Sequence, residues 1–154
     1  MMTHLCEQVL KVLKGKTLAT AESCTGGGIG AAVTAVSGSS SVYKGGIISY
    51  QNEIKRDLLG VKEEDLFSFG PVSAPVAAQM AAGARKALQA DVAVSVTGLA
   101  GPGGDAFGNP VGTVYIGYAD EKESFARKFL FDGNREDVRN QAIENALKII
   151  LEKN

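Results

Sequence analysis

Tryptophan is missing from the 154 residues, histidine occurs once and cysteine twice. The lone histidine, His4, stands at the start of the first helical pattern. A Ser-His-Asp mechanism is therefore not expected, because a serine nucleophile needs a nearby base and His4 is poorly placed to supply one. One histidine and two distant cysteines also cannot furnish the roughly four nitrogen or sulfur ligands of a zinc site, and no metal is expected. No run approaches the roughly 20 apolar residues that cross a bilayer. The start, Met1-Met2-Thr3-His4-Leu5-Cys6-Glu7, lacks the basic-then-apolar layout of a signal peptide. Cys6 and Cys24 are accordingly read as reduced thiols of a cytoplasmic, disulfide-free protein. Excess charge is lacking too: 16 Lys and Arg face 17 Asp and Glu, a formal net charge of −1. Neither nucleic acid nor an anionic membrane is an expected partner, since both need a basic surface.

What the chain has in abundance is glycine, 19 residues of it. Glycine is costly inside helices and strands and useful where backbone must come close to something. The remainder is of globular composition, with 45 % hydrophobic and 21 % charged residues. One domain spanning 1–154 is the expectation.

Hydrophobic spacing predicts a helix over Thr3 to Lys14, a short strand over Thr17 to Glu22, and a helix over Gly26 to Val36. A β-rich run follows from Val42 to Tyr50, then a short helix from Glu53 to Leu59 closed by Gly60. Ser73 to Ala90 carries a narrow alanine-rich stripe, with Ser73 placed to cap the helix and Pro75 in its tolerant first turn. Asp91 to Val96 reads as a continuous, buried strand. Gly98 to Pro110 is a glycine-rich loop. Thr113 to Ala119 and Ser124 to Phe131 form an antiparallel hairpin, and Asn134 to Glu152 is the closing helix. This order predicts a three-layer α/β/α domain, its mostly parallel sheet of about five strands containing one antiparallel strand. The alanine-rich helix and Gly45-Gly46 suit internal packing and also close subunit contact, and a homo-oligomer is the expectation.

Sites in open α/β sheets lie at the carboxyl ends of the strands. Three segments should meet there. Ala21-Glu22-Ser23-Cys24-Thr25-Gly26-Gly27-Gly28-Ile29-Gly30 places three polar side chains on a strand-to-helix turn. Its free amides can receive an oxyanion or a phosphate, although Ser and Thr also cap helices routinely. Gly26-x-Gly28-x-x-Ala31 matches a dinucleotide fingerprint, but three polar residues between strand and glycines are foreign to that motif. Gly15-Lys16-Thr17 resembles the end of a phosphate loop and fails, because Leu10 stands where the first glycine is required. Ser49-Tyr50-Gln51-Asn52-Glu53-Ile54-Lys55 offers a lysine as a substitute for histidine. It can act as a base only if burial or a neighbouring cation lowers its pKa, while Tyr50 is placed to relay the proton or orient the amine. The alternative is a strand-end tyrosine and a surface lysine. Thr97-Gly98-Leu99-Ala100-Gly101-Pro102-Gly103-Gly104-Asp105 lets backbone approach a ligand or close as a lid.

Together these segments resemble the CinA carboxy-terminal family, also called nicotinamide-nucleotide amidases. The matching elements are Ala19-Thr20-Ala21-Glu22-Ser23-Cys24-Thr25-Gly26-Gly27, Tyr50-x-Asn52-Glu53-x-Lys55, Gly70-x-Val72-Ser73, Val96-Thr97-Gly98-x-Ala100-Gly101-Pro102-Gly103-Gly104, Pro110-Val111-Gly112-Thr113-Val114 and Gly133-x-Arg135-x-x-Val138-Arg139. The resemblance implies conversion of nicotinamide mononucleotide to nicotinic acid mononucleotide and ammonia, with no metal or organic cofactor. It implies Ser23 as nucleophile, assisted by Tyr50 and Lys55, and a pocket that includes Thr97 and the following glycines, Gly98, Gly101 and Gly103. The turn residues Cys24, Thr25, Gly26 and Gly27 are candidates for holding the substrate. Arg135 and Arg139 are candidates for its phosphate, or else solvated helix residues. Gly28 stands where the family often has a larger residue, and Asp105 where a glycine is common. In many relatives this domain follows another, and that second activity is expected to be absent here. The competing expectation is a nucleotide-binding or interaction module without catalysis.

Overall fold

A computed structural model describes residues 2–154. The chain runs α1 (Met2–Val12), β1 (Leu18–Glu22), α2 (Gly28–Thr34), a 3-10 turn (Ser39–Ser41), β2 (Tyr43–Ile48), α3 (Asn52–Leu59), α4 (Glu63–Phe69), α5 (Ala74–Leu88), β3 (Val92–Gly98), β4 (Thr113–Ala119), β5 (Ser124–Leu130) and α6 (Arg135–Lys153). The five strands form one sheet in the order β2-β1-β3-β4-β5. β2, β1 and β3 are mutually parallel, and β4 is antiparallel to both β3 and β5. β4 is therefore the one reversed strand, as expected.

Side-chain alternation along the strands sorts the helices into two layers. Val92, Val94 and Val96 of β3 join Leu18 and residues of α1, α2 and α6 in the larger core. Ala93 of β3 and Ala19 and Ala21 of β1 face the other way, against Val76, Met80 and Ala84 of α5. Small residues on that face let α5 lie close. A Cβ on Gly117 of β4 would strike the Ala77 carbonyl, and the Ser95 hydroxyl donates to the same carbonyl at 2.6 Å. The alanine stripe is thus spent on internal packing. So is Gly46, whose added Cβ would run into Thr20 and Tyr43.

Two local expectations need correction. Helix α4 was not anticipated; it buries only Leu66, too little periodicity to register, although Glu63, Glu64 and Asp65 are the acidic first turn that a helix start favours. Ser73 occupies the cap position of α5 without capping it, because its hydroxyl donates instead to the Gly70 carbonyl at 2.9 Å. By contrast α6 opens on a full capping box between Asn134 and Asp137.

Parallel pairing brings the carboxyl ends of β1, β2 and β3 to one edge of the sheet. Ser23 follows β1, Tyr50 lies just beyond β2, and Thr97 and Gly98 end β3. Among the described residues, no helix is long and apolar enough to cross a membrane.

Candidate active site

Lys55 is the fourth residue of α3 and is 1 % exposed. It is not the surface lysine that its composition would suggest. Its Nζ donates to Ser23 Oγ at 3.0 Å, to the Ser49 carbonyl at 2.7 Å and to the Tyr50 carbonyl at 3.2 Å. Burial pulls its pKa down to about 8, against a small opposing effect from Cys24. No cation is needed for this. Glu53, which would have opposed it from inside, is exposed and lines a neighbouring groove with Arg56 and Phe67.

Ser23, 7 % exposed, stands at the floor of a cleft of about 230 Å³. Of the residues anticipated from sequence, Cys24, Tyr50, Lys55, Thr97, Gly98, Gly101, Gly103 and Arg135 line the same cleft. Thr25, Gly26, Gly27 and Arg139 do not. Asn52, Pro71, Val72, Leu99 and Ala100 also line it; the last four are apolar loop residues with no chemical signature in a sequence.

Tyr50 meets Lys55 through its backbone carbonyl only. Its side chain is 61 % exposed at the cleft, and among the described residues its hydroxyl has no hydrogen bond to Ser23 or Lys55. The Cys24 thiol is buried and pushed up to about 11, so it stays protonated and unreactive beside the serine. Thr97 turns its hydroxyl away, donating to the Pro71 carbonyl at 2.8 Å.

The strand-to-helix turn is built differently from the open anion site anticipated for it. Glu22, 2 % exposed, turns its carboxylate into the start of α2. It accepts from the amides of Ile29 at 2.8 Å and Gly30 at 3.0 Å, and from the Thr25 hydroxyl at 2.7 Å. Those helix-start amides are consumed by the protein's own anion and cannot take a substrate phosphate. Residues 26 and 27 make the turn by two successive positive φ angles, 58° and 100°, which only glycine adopts without strain. Glu22 was overlooked; its signal was an acid ending an otherwise uncharged strand, on the face of Leu18 and Thr20.

Arg135 and Arg139 are four residues apart on one face of α6. Arg135 Nη1 donates to the Gly101 carbonyl at 2.6 Å, on the cleft wall. Arg139 reaches the turn instead, Nε to the Cys24 carbonyl at 3.0 Å and Nη2 to the Thr25 carbonyl at 3.1 Å. Asp105 orders the glycine-rich loop, accepting from the Phe107 and Asn109 amides at 3.0 and 2.9 Å and from Asn109 Nδ2 at 2.8 Å. Gly28 leaves its space to α6, where a Cβ would lie 2.6 Å from Ile143 Cδ1. Among the described residues, no three His, Cys, Asp or Glu side chains gather as a metal site would require.

A model of the family described as the CinA C-terminal domain matches residues 2–153. The chain belongs to this family. Nicotinamide-nucleotide amidohydrolase PncC of Escherichia coli (strain K12) is 44% identical over 99% of this chain and 94% of its own length. A CinA-like protein of Endomicrobium trichonymphae is 49% identical over 90% of this chain but only 32% of its own length. The chain thus spans about a third of the CinA-like relatives, and nearly all of PncC. Among solved structures, the competence damage-inducible protein A (ComA) of Klebsiella pneumoniae subsp. pneumoniae MGH 78578 matches with a TM-score of 0.96. It is 34% identical, over 99% of this chain and 96% of that one. The competence/damage inducible protein CihA of Agrobacterium tumefaciens matches with a TM-score of 0.94 at 37% identity, over 98% of this chain and 94% of that one. In this CinA C-terminal domain the clustering of Ser23, Lys55 and the glycine-rich loop is a feature of tertiary structure, since three separate segments supply it.

Proposed function

We propose that this chain is an amidohydrolase that converts nicotinamide mononucleotide to nicotinic acid mononucleotide and ammonia, the whole chain acting as one amidase domain. The observation that carries the reading is the buried contact between Lys55 Nζ and Ser23 Oγ at 3.0 Å. A neutral lysine has two N–H groups and one lone pair. The Ser49 and Tyr50 carbonyls accept two hydrogens at 2.7 and 3.2 Å, which leaves the lone pair for the Ser23 hydroxyl. Arginine-like permanence of charge would defeat this arrangement; a lysine with its pKa near 8 suits it.

The reaction follows. Lys55 takes the Ser23 proton as Oγ bonds to the carboxamide carbon. The oxyanion is received by amides of the turn at Cys24 and Thr25. The ammonium of Lys55 then gives its proton to the departing nitrogen, the carbon–nitrogen bond breaks, and ammonia leaves an acyl-serine. Water, deprotonated by the same lysine, hydrolyses the ester and restores Ser23. Arg135 at the cleft wall is the group offered to the substrate phosphate. No metal or organic cofactor enters, and the partner is a small pyridine mononucleotide. Two free, buried thiols suit a cytoplasmic setting.

The name and 44% identity of PncC support the substrate class. The test is ammonia release from nicotinamide mononucleotide by wild type and Ser23→Ala, with a loss of about 10³-fold or more expected for the variant. Equal rates would remove Ser23 as nucleophile. Tight binding without turnover in the wild type would favour a binding module instead.

A further inference from the structure

The peptide units after Ser23 are held in an unequal way. The Ser23 carbonyl accepts from the Gly26 amide at 3.1 Å, a bond internal to the turn. The Thr25 carbonyl accepts from the Gly28 amide at 2.9 Å and from Arg139 Nη2, whereas among the described residues the Cys24 carbonyl has no backbone partner and is taken only by Arg139 Nε, 115 residues later. Among the described residues, no backbone carbonyl accepts from the amides of Cys24 or Thr25. In a planar peptide the carbonyl and the next amide point in opposite directions. The amide of Thr25 is therefore aimed by whatever holds the Cys24 carbonyl, and Arg139 Nε holds it.

We propose that Arg139 is a positioning residue that fixes and polarises the Cys24–Thr25 peptide so that its amide serves the oxyanion, and that it makes no contact with substrate. This rests on the serine-amidase reading and goes past it by separating the two arginines of α6. Arg135 lines the cleft, whereas Arg139 spends its Nε and Nη2 on the Cys24 and Thr25 carbonyls. The need for a clamp is local. Gly26 and Gly27 follow immediately, and a turn with two glycines can rotate its peptides at little cost. Glu22 secures the opposite side of the turn through the Thr25 hydroxyl at 2.7 Å, so the side chain of Thr25 is fixed by an anion, and the Cys24 carbonyl before it by a cation. A charged donor on a carbonyl also strengthens the dipole of the amide joined to it. The planar fork of arginine reaches two adjacent carbonyls at once, which a lysine cannot do.

The experiment compares Arg139→Met, Arg139→Lys and Arg135→Met in steady-state hydrolysis of nicotinamide mononucleotide, alongside thermal unfolding. A second readout needs no amidase substrate: the rate at which phenylmethylsulfonyl fluoride labels Ser23, followed by mass spectrometry. Loss of one oxyanion donor costs about 10²- to 10³-fold in kcat. Arg139→Met is expected to lose about 10²-fold in kcat with KM nearly unchanged, and Arg139→Lys to recover part of it. Arg135→Met should chiefly raise KM. Labelling of Ser23 should slow in Arg139→Met and hold in Arg135→Met. If Arg139→Met raises KM and spares kcat, Arg139 is a substrate residue and the proposal fails. It fails equally if Arg139→Lys, folded as wild type is, matches wild type in both kcat and labelling rate. If the wild type labels at Ser23 but releases no ammonia, the substrate reading falls, while the labelling rates still decide the role of Arg139.

Discussion

Lys55 and Ser23 touch through Nζ and Oγ at 3.0 Å inside the fold, although one follows β1 and the other rides on α3. The lysine is buried there, and among the described residues it has no carboxylate partner. Burial alone lowers its pKa to about 8. That combination sets the behaviour expected of the proposed amidase.

Activity should depend on the neutral form of Lys55. Its fraction rises tenfold per pH unit below the folded pKa and saturates above it. A plot of log kcat/KM against pH is expected to climb with unit slope and level off near pH 8, the value given by burial. A flat profile from about pH 6 to about 9 would dissociate the lysine from proton transfer.

Replacing Lys55 separates its role from that of its neighbour Tyr50. Lys55→Met and Lys55→Arg should both lose about 10²- to 10⁴-fold in kcat, because arginine keeps the charge and cannot give up the proton. Tyr50→Phe should lose less than about tenfold, since only the carbonyl of Tyr50 meets Lys55. An active Lys55→Arg enzyme together with an inactive Tyr50→Phe enzyme would transfer the base role to the phenol.

Stability carries the same signature with a definite sign. The folded pKa of Lys55, about 8, lies below the ~10.4 of an unfolded lysine. Between those two values the unfolded chain binds more protons, so wild-type stability rises with pH; below them the whole cost of burying the amine is present. That cost is about 3 kcal/mol at 1.36 kcal/mol per unit. Thermal unfolding of Lys55→Met should therefore compare best with wild type below pH 8 and lose ground as pH rises towards ~10.4. Equal pH dependence in the two proteins would show that Lys55 is not desolvated.

Glu22 should matter to the turn more than its position outside the cleft suggests. Glu22→Ala leaves the Ile29 and Gly30 amides and the Thr25 hydroxyl without their acceptor. Urea unfolding is expected to register a loss of about 3 kcal/mol, in the range for buried donors left unsatisfied. A loss under about 1 kcal/mol would mean that water replaces the carboxylate.

Gly83 of α5 offers a prediction that inverts the local rule. Helix propensity alone favours alanine over glycine by about 1 kcal/mol. A Cβ there would fall into the backbone carbonyl of Leu59, which cannot rotate aside. Gly83→Ala should destabilise by about 2 kcal/mol or more in denaturant unfolding, as overpacking does.

The element order, the reversed strand of the hairpin and the meeting of three loops were readable because they depend on local pattern. Strand and helix periods and the glycines after Ser23 are written in neighbouring residues. So was the need for a base other than histidine. What the sequence by itself determined, then, was the α/β architecture and the short list of groups able to do chemistry. Burial and direction were decided by the tertiary structure. Lys55 is a base candidate only because α3 turns it inward beneath the ends of β1 and β2, where water is excluded. Tyr50, equally prominent in the sequence, points its ring outward. Arg139 and Arg135 share a helix face and an identical side chain, yet one meets the turn after Ser23 and the other the glycine-rich loop. Glu22 fills the helix start that its own glycines advertise as open. Each of these depends on contacts between residues far apart in the chain, and desolvation and hydrogen-bond direction exist only once those contacts have formed.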